Sequence, residues 1–249
     1  MIPQKEFANL LAIAAATAGL SCGLLITARG GQSQTQPAVD KWARHYYDRV
    51  EQFKRENAAA RNIVMVGSSH IEGFDAARLL PGRRVANRGI GSDRIGLTER
   101  GVLHRLDSSV FDCNPGFIIL ENGVNDLGEL WRNGAPSIDE IDACYRKVVT
   151  RIRTQLPNVP LVIVSLFPTR DRFAPLTPHI LEFNRRLERI AADHKCPFMD
   201  VFKPLADEQN LLRKEFSRDG LHLNEAGYRI WARRIEEILP QQSDTRPGR

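Results

Sequence analysis

The 249-residue chain has only four cysteines, Cys22, Cys113, Cys144 and Cys196, and none stands in a CxxC or mixed Cys/His spacing. That excludes a zinc site of the usual sequence pattern, and no histidine has ligand spacing for another metal, so no cofactor is expected. Cys22 falls in a charge-free run. The three cysteines that remain leave at least one thiol unpaired within a monomer, and the sequence alone does not choose a pair. An uninterrupted basic tract is also missing. The net charge is +5, but the cations interleave with acids in "RHYYDRVEQFKRE", "RRLER" and "ARRIEE". This reads as a solvated surface and not as a nucleic-acid face. There is no internal repeat. Charge is absent altogether from Phe7 to Ala28, "FANLLAIAAATAGLSCGLLITA", about the 20 residues that cross a bilayer. Residues 1–28 are therefore expected to be an uncleaved anchor or a signal peptide. The small-residue "ATA" lies inside the apolar run, and Gly19 in "GLSC" argues against a lipoprotein signal. The protein is expected to be exported or membrane-anchored, with membrane contact only through residues 7–28. The flanking Lys5, Glu6 and Arg29 do not fix an orientation.

At 42% hydrophobic and 26% charged residues, the remainder has the composition of one folded domain. Residues 29–38, "RGGQSQTQPA", read as a linker, residues 39–240 as the domain, and residues 241–249 as a disordered tail. The segment "DKWARHYYDRVEQFKRENAAA" puts Trp42, Tyr46, Val50 and Phe53 on one helical face, with Asp40 as cap. Beyond it, apolar runs at Ile63–Val66, Phe117–Leu120, Leu161–Val164 and Phe198–Val201, with a weaker one at Val85–Ala86, alternate with helical patterns. The runs are nearly continuous, as in parallel strands covered on both faces. A helix at Ile138–Leu156 follows a capping-box pattern of Ser137 and Glu140. Another starts at Pro178 with Thr177 as cap, and the last follows Asn224 and buries Tyr228, Trp231, Ile235 and Ile238. This alternation predicts an α/β domain with a mainly parallel, five-stranded sheet, whose ligands bind beyond the carboxyl ends of the strands.

The segments following the strands carry the chemistry. The first strand runs into Gly67-Ser68-Ser69-His70, the second into "NRGIGS", the third into "ENGVNDL" and the fourth into "SLFPTR"; "SRDGLHLNEAGY" precedes the last helix. An ester hydrolase needs a nucleophilic hydroxyl, a base, a group that orients the base, and donors for the oxyanion. His70 is a poor base for its neighbour Ser69, because adjacent side chains diverge. His222, three residues after Asp219, suits the role better. Gly89 and the Asn125 amide are candidate donors, with the Ser69 N–H. Taken singly these residues have plainer readings: Ser69 as a helix cap, Gly89 as a turn residue, Asn125-Asp126 as turn and cap, Asp219-Gly220 as a turn. Trp131 and Phe167 are candidates to line a substrate pocket and Arg170 to meet an anionic group; packing and solvated loop charge are the plainer readings of these three.

Taken in order, "VGSSHIEG", "NRGIGS", "NGVND" and "DGLH" resemble the four blocks of SGNH, or GDSL-type, hydrolases, across most of residues 60 to 240. The resemblance implies a three-layer, flavodoxin-like α/β/α sandwich. It implies Ser69 as nucleophile, His222 as base and Asp219 as its partner, with Gly89 and Asn125 completing the oxyanion hole with Ser69. One position departs: Ser68 stands where the family usually has aspartate. The G-x-S-x-G elbow of α/β-hydrolases is absent, since position 71 is Ile. The expected function is a serine esterase acting on short acyl, foremost O-acetyl, esters of a small molecule, carbohydrate or lipid. Acyl transfer by the same residues and a non-catalytic glycan-binding role are the alternatives.

Overall fold

Five apolar runs become five parallel strands: β1 (Ile63–Gly67), β2 (Val85–Gly89), β3 (Phe117–Glu121), β4 (Leu161–Val164) and β5 (Phe198–Met199). The computed structural model describes residues 40–57 and 63–239. The expected leader, linker and tail lie outside these residues, and no described helix is long and apolar enough to cross a membrane. The described helices are α1 (Lys41–Glu56), α2 (Ser69–Glu72), α3 (Ala76–Leu79), α4 (Leu106–Ser109), α5 (Val124–Asn133), α6 (Ile138–Gln155), α7 (Thr177–Asp193), α8 (Phe202–Leu205) and α9 (Glu225–Ile238).

Successive strand residues point to opposite faces, and because both faces are covered, both sets are apolar. Val64, Val66, Ile118, Leu120, Leu161 and Ile163 pack into a cluster with α5, α6 and α7 residues such as Leu127, Tyr145 and Phe183. Met65, Ile119, Val162 and Val164 pack into a second cluster with Ile71, Phe74, Tyr228 and Trp231 from the α2–α3 segment and α9. Two clusters separated by one sheet make the three-layer sandwich. The strand order is β2-β1-β3-β4-β5. The order reverses at β1, which has β2 on one side and β3 on the other, and that reversal opens a crevice at the carboxyl ends.

The caps form largely as the sequence predicts. Asp40 accepts the Trp42 N–H at 3.0 Å, Ser137 and Glu140 complete a capping box, and Asn224 accepts the Gly227 N–H at 3.2 Å. Thr177 is a correction. It is the first residue of α7 and not its cap, Leu176 precedes the helix without a side-chain bond, and Pro178 still occupies the first turn. β5 is two residues long where the apolar run suggested four, because Val201 N–H bonds to the Ser165 hydroxyl and leaves the ladder. Along α1, Tyr46 and Phe53 are buried as the periodicity requires, but Trp42 is 46% exposed. The remaining cysteines, Cys113, Cys144 and Cys196, are free and buried.

One buried side chain ties the crevice together. Arg105 is 2% exposed. Its Nη2 donates to the Gly67 carbonyl at 2.9 Å, its Nη1 to the Arg88 carbonyl at 2.9 Å, and its Nε to Asp93 Oδ2 at 2.8 Å. It therefore joins the ends of β1 and β2 to the loop that follows β2. Arg105→Met would leave the Asp93 carboxylate buried without its cation. Removing one partner of a buried ion pair costs about 3–5 kcal/mol, and urea unfolding of the variant should show a loss of that order.

Candidate active site

Ser69 is the first residue of α2, immediately past β1. As the first helical residue its N–H has no carbonyl within the helix to bond. The turn is tight: a Cβ on Gly67 would lie 1.8 Å from the Glu121 carbonyl oxygen of the neighbouring strand. Ser68 faces inward, and its hydroxyl donates to Glu121 Oε2 at 3.2 Å. The family's aspartate is replaced here by a serine, and the carboxyl that the turn uses comes from the end of β3. Burial pushes the Glu121 carboxyl up to about 7, against the lowering effect of the Ser68 bonds.

The far end of the chain brings His222 to this turn. His222 Nε2 lies 3.1 Å from Ser69 Oγ, and Nδ1 lies 2.7 Å from Asp219 Oδ2. The other Asp219 oxygen accepts the Leu221 and His222 N–H groups at 3.0 and 2.8 Å. Partial burial acts to raise this carboxyl. The His222 and backbone bonds outweigh it and hold the group well below the usual carboxylate range. Gly220 takes φ +83° between the two, where a Cβ would meet the Arg170 carbonyl oxygen at 2.7 Å. A left-handed position in such contact requires glycine.

The His70 ring is engaged away from Ser69 Oγ. It is buried, its Nε2 donates to the Leu221 carbonyl at 3.0 Å, and the ring packs on Phe167 with centroids 4.5 Å apart. Burial pulls it down to about 4, so it stays neutral at physiological pH. It holds the loop that carries Asp219 and His222 against the nucleophile turn. Its Nδ1 faces Glu121 Oε1 at 3.8 Å, too long for a hydrogen bond.

Gly89 does not serve as the sequence suggested. Its N–H bonds the Asn87 side chain at 3.0 Å, and a Cβ would lie 2.0 Å from the Glu72 backbone nitrogen. It is a glycine because α2 presses on β2. In the loop after it, the Ile90 N–H bonds the Gly67 carbonyl, the Gly91 N–H bonds Glu72 Oε2 at 2.7 Å, and the Asp93 N–H bonds the Ile90 carbonyl. Between Ile90 and Asp93, Ser92, at φ +61°, is the residue whose N–H has no acceptor among the described residues. Asn125 stands on the other side, half-buried, with one amide proton on the Asp93 carbonyl at 2.8 Å and the second unassigned. Asp126 beside it is buried and receives the Ile95 N–H at 3.1 Å, which pins the same loop to α5.

Of the expected substrate contacts, Phe167 is 1% exposed and wedged between His70 and Trp231; it packs the site from behind. The Arg170 backbone N–H bonds the Gly220 carbonyl at 2.8 Å and its guanidinium bonds the Leu212 carbonyl, so it braces the Asp219 turn. Trp131 is 42% exposed on α5. The described residues contain no cluster of side chains able to hold a metal ion.

The model of the GDSL-like Lipase/Acylhydrolase family matches residues 71–230, more than half of the chain. The chain belongs to that family. The matched span holds Asn125, Asp219 and His222, and Ser69 lies two residues before it. No curated protein matches the sequence. Among solved structures, a protein from Streptococcus pneumonia superposes with TM-score 0.70 at 22% identity, over 79% of this chain and 94% of that one. A GDSL-like lipase from Bacteroides thetaiotaomicron gives 0.65 at 21% identity, over 76% and 95%. An acetylxylan esterase from Geobacillus stearothermophilus gives 0.58 at 16% identity, over 73% and 95%. Family and fold together make this protein an ester hydrolase of the SGNH superfamily.

The buried acid that pins the β2 loop generates a test. Burial pushes the Asp126 carboxyl up to about 7 from its ordinary 3.8, against smaller lowering effects of the Ile95 N–H and Arg94. A carboxyl whose folded value is raised gives stability that is complete below the unfolded value and is lost as pH rises toward the folded one. Asn at this position cannot ionise. Between pH 4 and pH 7 the wild type should therefore lose stability relative to Asp126→Asn, by up to roughly 4 kcal/mol, measured by urea unfolding at both pH values.

Proposed function

We propose that this hydrolase is a serine esterase that cleaves short acyl esters, foremost O-acetyl groups on carbohydrate, through Ser69, His222 and Asp219. The observation that carries the reading is the continuous chain of contacts from Asp219 Oδ2 through both His222 nitrogens to Ser69 Oγ. The acetyl and carbohydrate preference draws support from the fold's likeness to an acetylxylan esterase.

In this mechanism His222 Nε2 takes the hydroxyl proton as Ser69 Oγ attacks the ester carbonyl. Asp219 fixes the tautomer and stabilises the imidazolium that forms. The oxyanion is met by the Ser69 N–H, the Ser92 N–H and the free amide proton of Asn125, donors drawn from three different strand ends. His222 then protonates the leaving alcohol, and its neutral ring activates water, which attacks the acyl-serine and releases the acid. The charge-free run at residues 7–28 supports an exported or membrane-anchored enzyme, which cell fractionation with N-terminal sequencing would test.

Ser69→Ala should abolish turnover of 4-nitrophenyl acetate while leaving the circular dichroism spectrum unchanged; retained turnover would overturn the mechanism. Asn125→Ala removes one oxyanion donor and should lower kcat by about 10²–10³, with little change in KM.

A further inference from the structure

Next to the loop that follows β2 lies a cleft of about 490 Å³, between the start of α1 and residues 91–100. That volume falls within the range of small-ligand sites, about 300–1,000 Å³. Ser92 and Gly91 line it. The Gly91 N–H is held by Glu72, the last residue of the helix that Ser69 begins, so this wall of the cleft is joined directly to the nucleophile's own helix. Trp42 lines it too and is the anomaly of α1. The helical stripe assigns it to the core, yet its ring stands exposed.

The lining tells against two ligand classes. No aliphatic side chain is among it, so an acyl chain finds no apolar slot. Its guanidinium groups are already paired: Arg94 with Glu129 at 2.6 Å and Arg100 with Asp40 at 3.1 Å. Asp40, Asp93 and Glu99 outnumber them. The cleft therefore offers no uncommitted guanidinium to a phosphate or other anionic headgroup. What it does offer is an exposed indole, the hydroxyls of Ser92 and Thr98, and the Glu99 carboxylate as a hydrogen-bond acceptor. An aromatic face with hydroxyl and carboxylate partners around it matches a neutral sugar ring, which has apolar C–H faces and a rim of hydroxyls. Lys41 Nζ lies 5.0 Å over the indole, and as an exposed side chain on the opposite side of the helix start from the buried stripe it can swing away at little cost.

We propose that this cleft is the alcohol-side subsite of the esterase, that it holds a neutral sugar unit of an acylated oligosaccharide, and that Trp42 is its stacking platform. The proposal rests on the esterase reading. It adds that specificity comes from the leaving alcohol, recognised by α1 and the 91–100 loop, and not from the acyl group.

The test compares acetylated xylo-oligosaccharides, acetylated cello-oligosaccharides and 4-nitrophenyl acetate as substrates for the wild type, Trp42→Ala and Trp42→Phe. An aromatic stacking contact is worth about 0.5–1.5 kcal/mol, or about two- to tenfold in binding. Trp42→Ala should therefore lower kcat/KM on the better oligosaccharide, relative to kcat/KM on 4-nitrophenyl acetate, by about two- to tenfold through KM, and Trp42→Phe should recover most of the loss. An unchanged ratio, or a wild type that prefers a long-chain acyl ester over both acetylated sugars, would overturn the subsite. A wild type inactive on all of these esters would overturn the esterase reading itself, so the two failures are distinguishable.

Discussion

The bonds made by the buried Arg105 guanidinium are the constraint on which the site depends. Gly67 leads into the nucleophile turn, Arg88 belongs to β2, and Asp93 begins the segment that Asn125 and Asp126 grip from α5. A planar guanidinium presents its donors in a rigid fork, so these three backbone segments are fixed at set separations by one side chain. The cost of burying the ion pair is offset by the hydrogen bonds that the guanidinium gives to the Gly67 and Arg88 carbonyls. Phe53 from α1 lies beneath it, with the Arg49, Arg88 and Arg105 guanidinium groups 4.8, 4.8 and 5.9 Å from its ring centre. α1 is thus fastened to the same assembly that fixes the loop after β2, and it becomes a wall of the cleft along residues 91–100.

A second set of contacts holds the His222 loop. Leu221 is bonded by His70, Gly220 by the Arg170 backbone, and the His222 carbonyl lies 2.8 Å from the Ser217 hydroxyl. Three consecutive carbonyls therefore have three different partners, and only the His222 ring and the Asp219 carboxylate are left to face outward. The His222 ring can turn about its side-chain torsions, but the backbone that carries it has little freedom to move. His70 connects the two halves of the site, since it follows Ser69 in sequence and bonds the His222 loop in space.

The strands were legible because each is a short, nearly unbroken apolar run, and the four motif blocks because each follows a strand or precedes the last helix. Those are local signals. What the sequence hid is tertiary. A glycine in "NRGIGS" is equally suited to meeting a ligand and to letting a helix press on a strand, and only the position of Glu72 over Gly89 separates the two. Ser92 gave no sign because a serine at positive φ is uncommon. Phe167 follows a strand as a pocket residue would, but Trp231 of α9 covers it. Arg105 sits in "GVLHRLD", where no periodicity marks it as buried. Glu121 did carry a signal: an acid closing the run "FIIL" must either leave the sheet or find a buried partner, and Ser68 is that partner.

The exposure of the site bears on which chemistry it favours. The side chains of His222 and Asp219 are 46% and 43% exposed, so an acyl-serine formed there would stand open to water. An acyltransferase has to exclude water from that intermediate while it holds a second alcohol, and this requires either a closed site or a separate acceptor subsite. In the proposed subsite the cleft bounded by Trp42 and Ser92 holds the departing sugar, and a second cleft, of about 380 Å³, adjoins Asp219 and His222. The openness of the His222–Asp219 pair favours hydrolysis, the reaction to which the family assigns this chain.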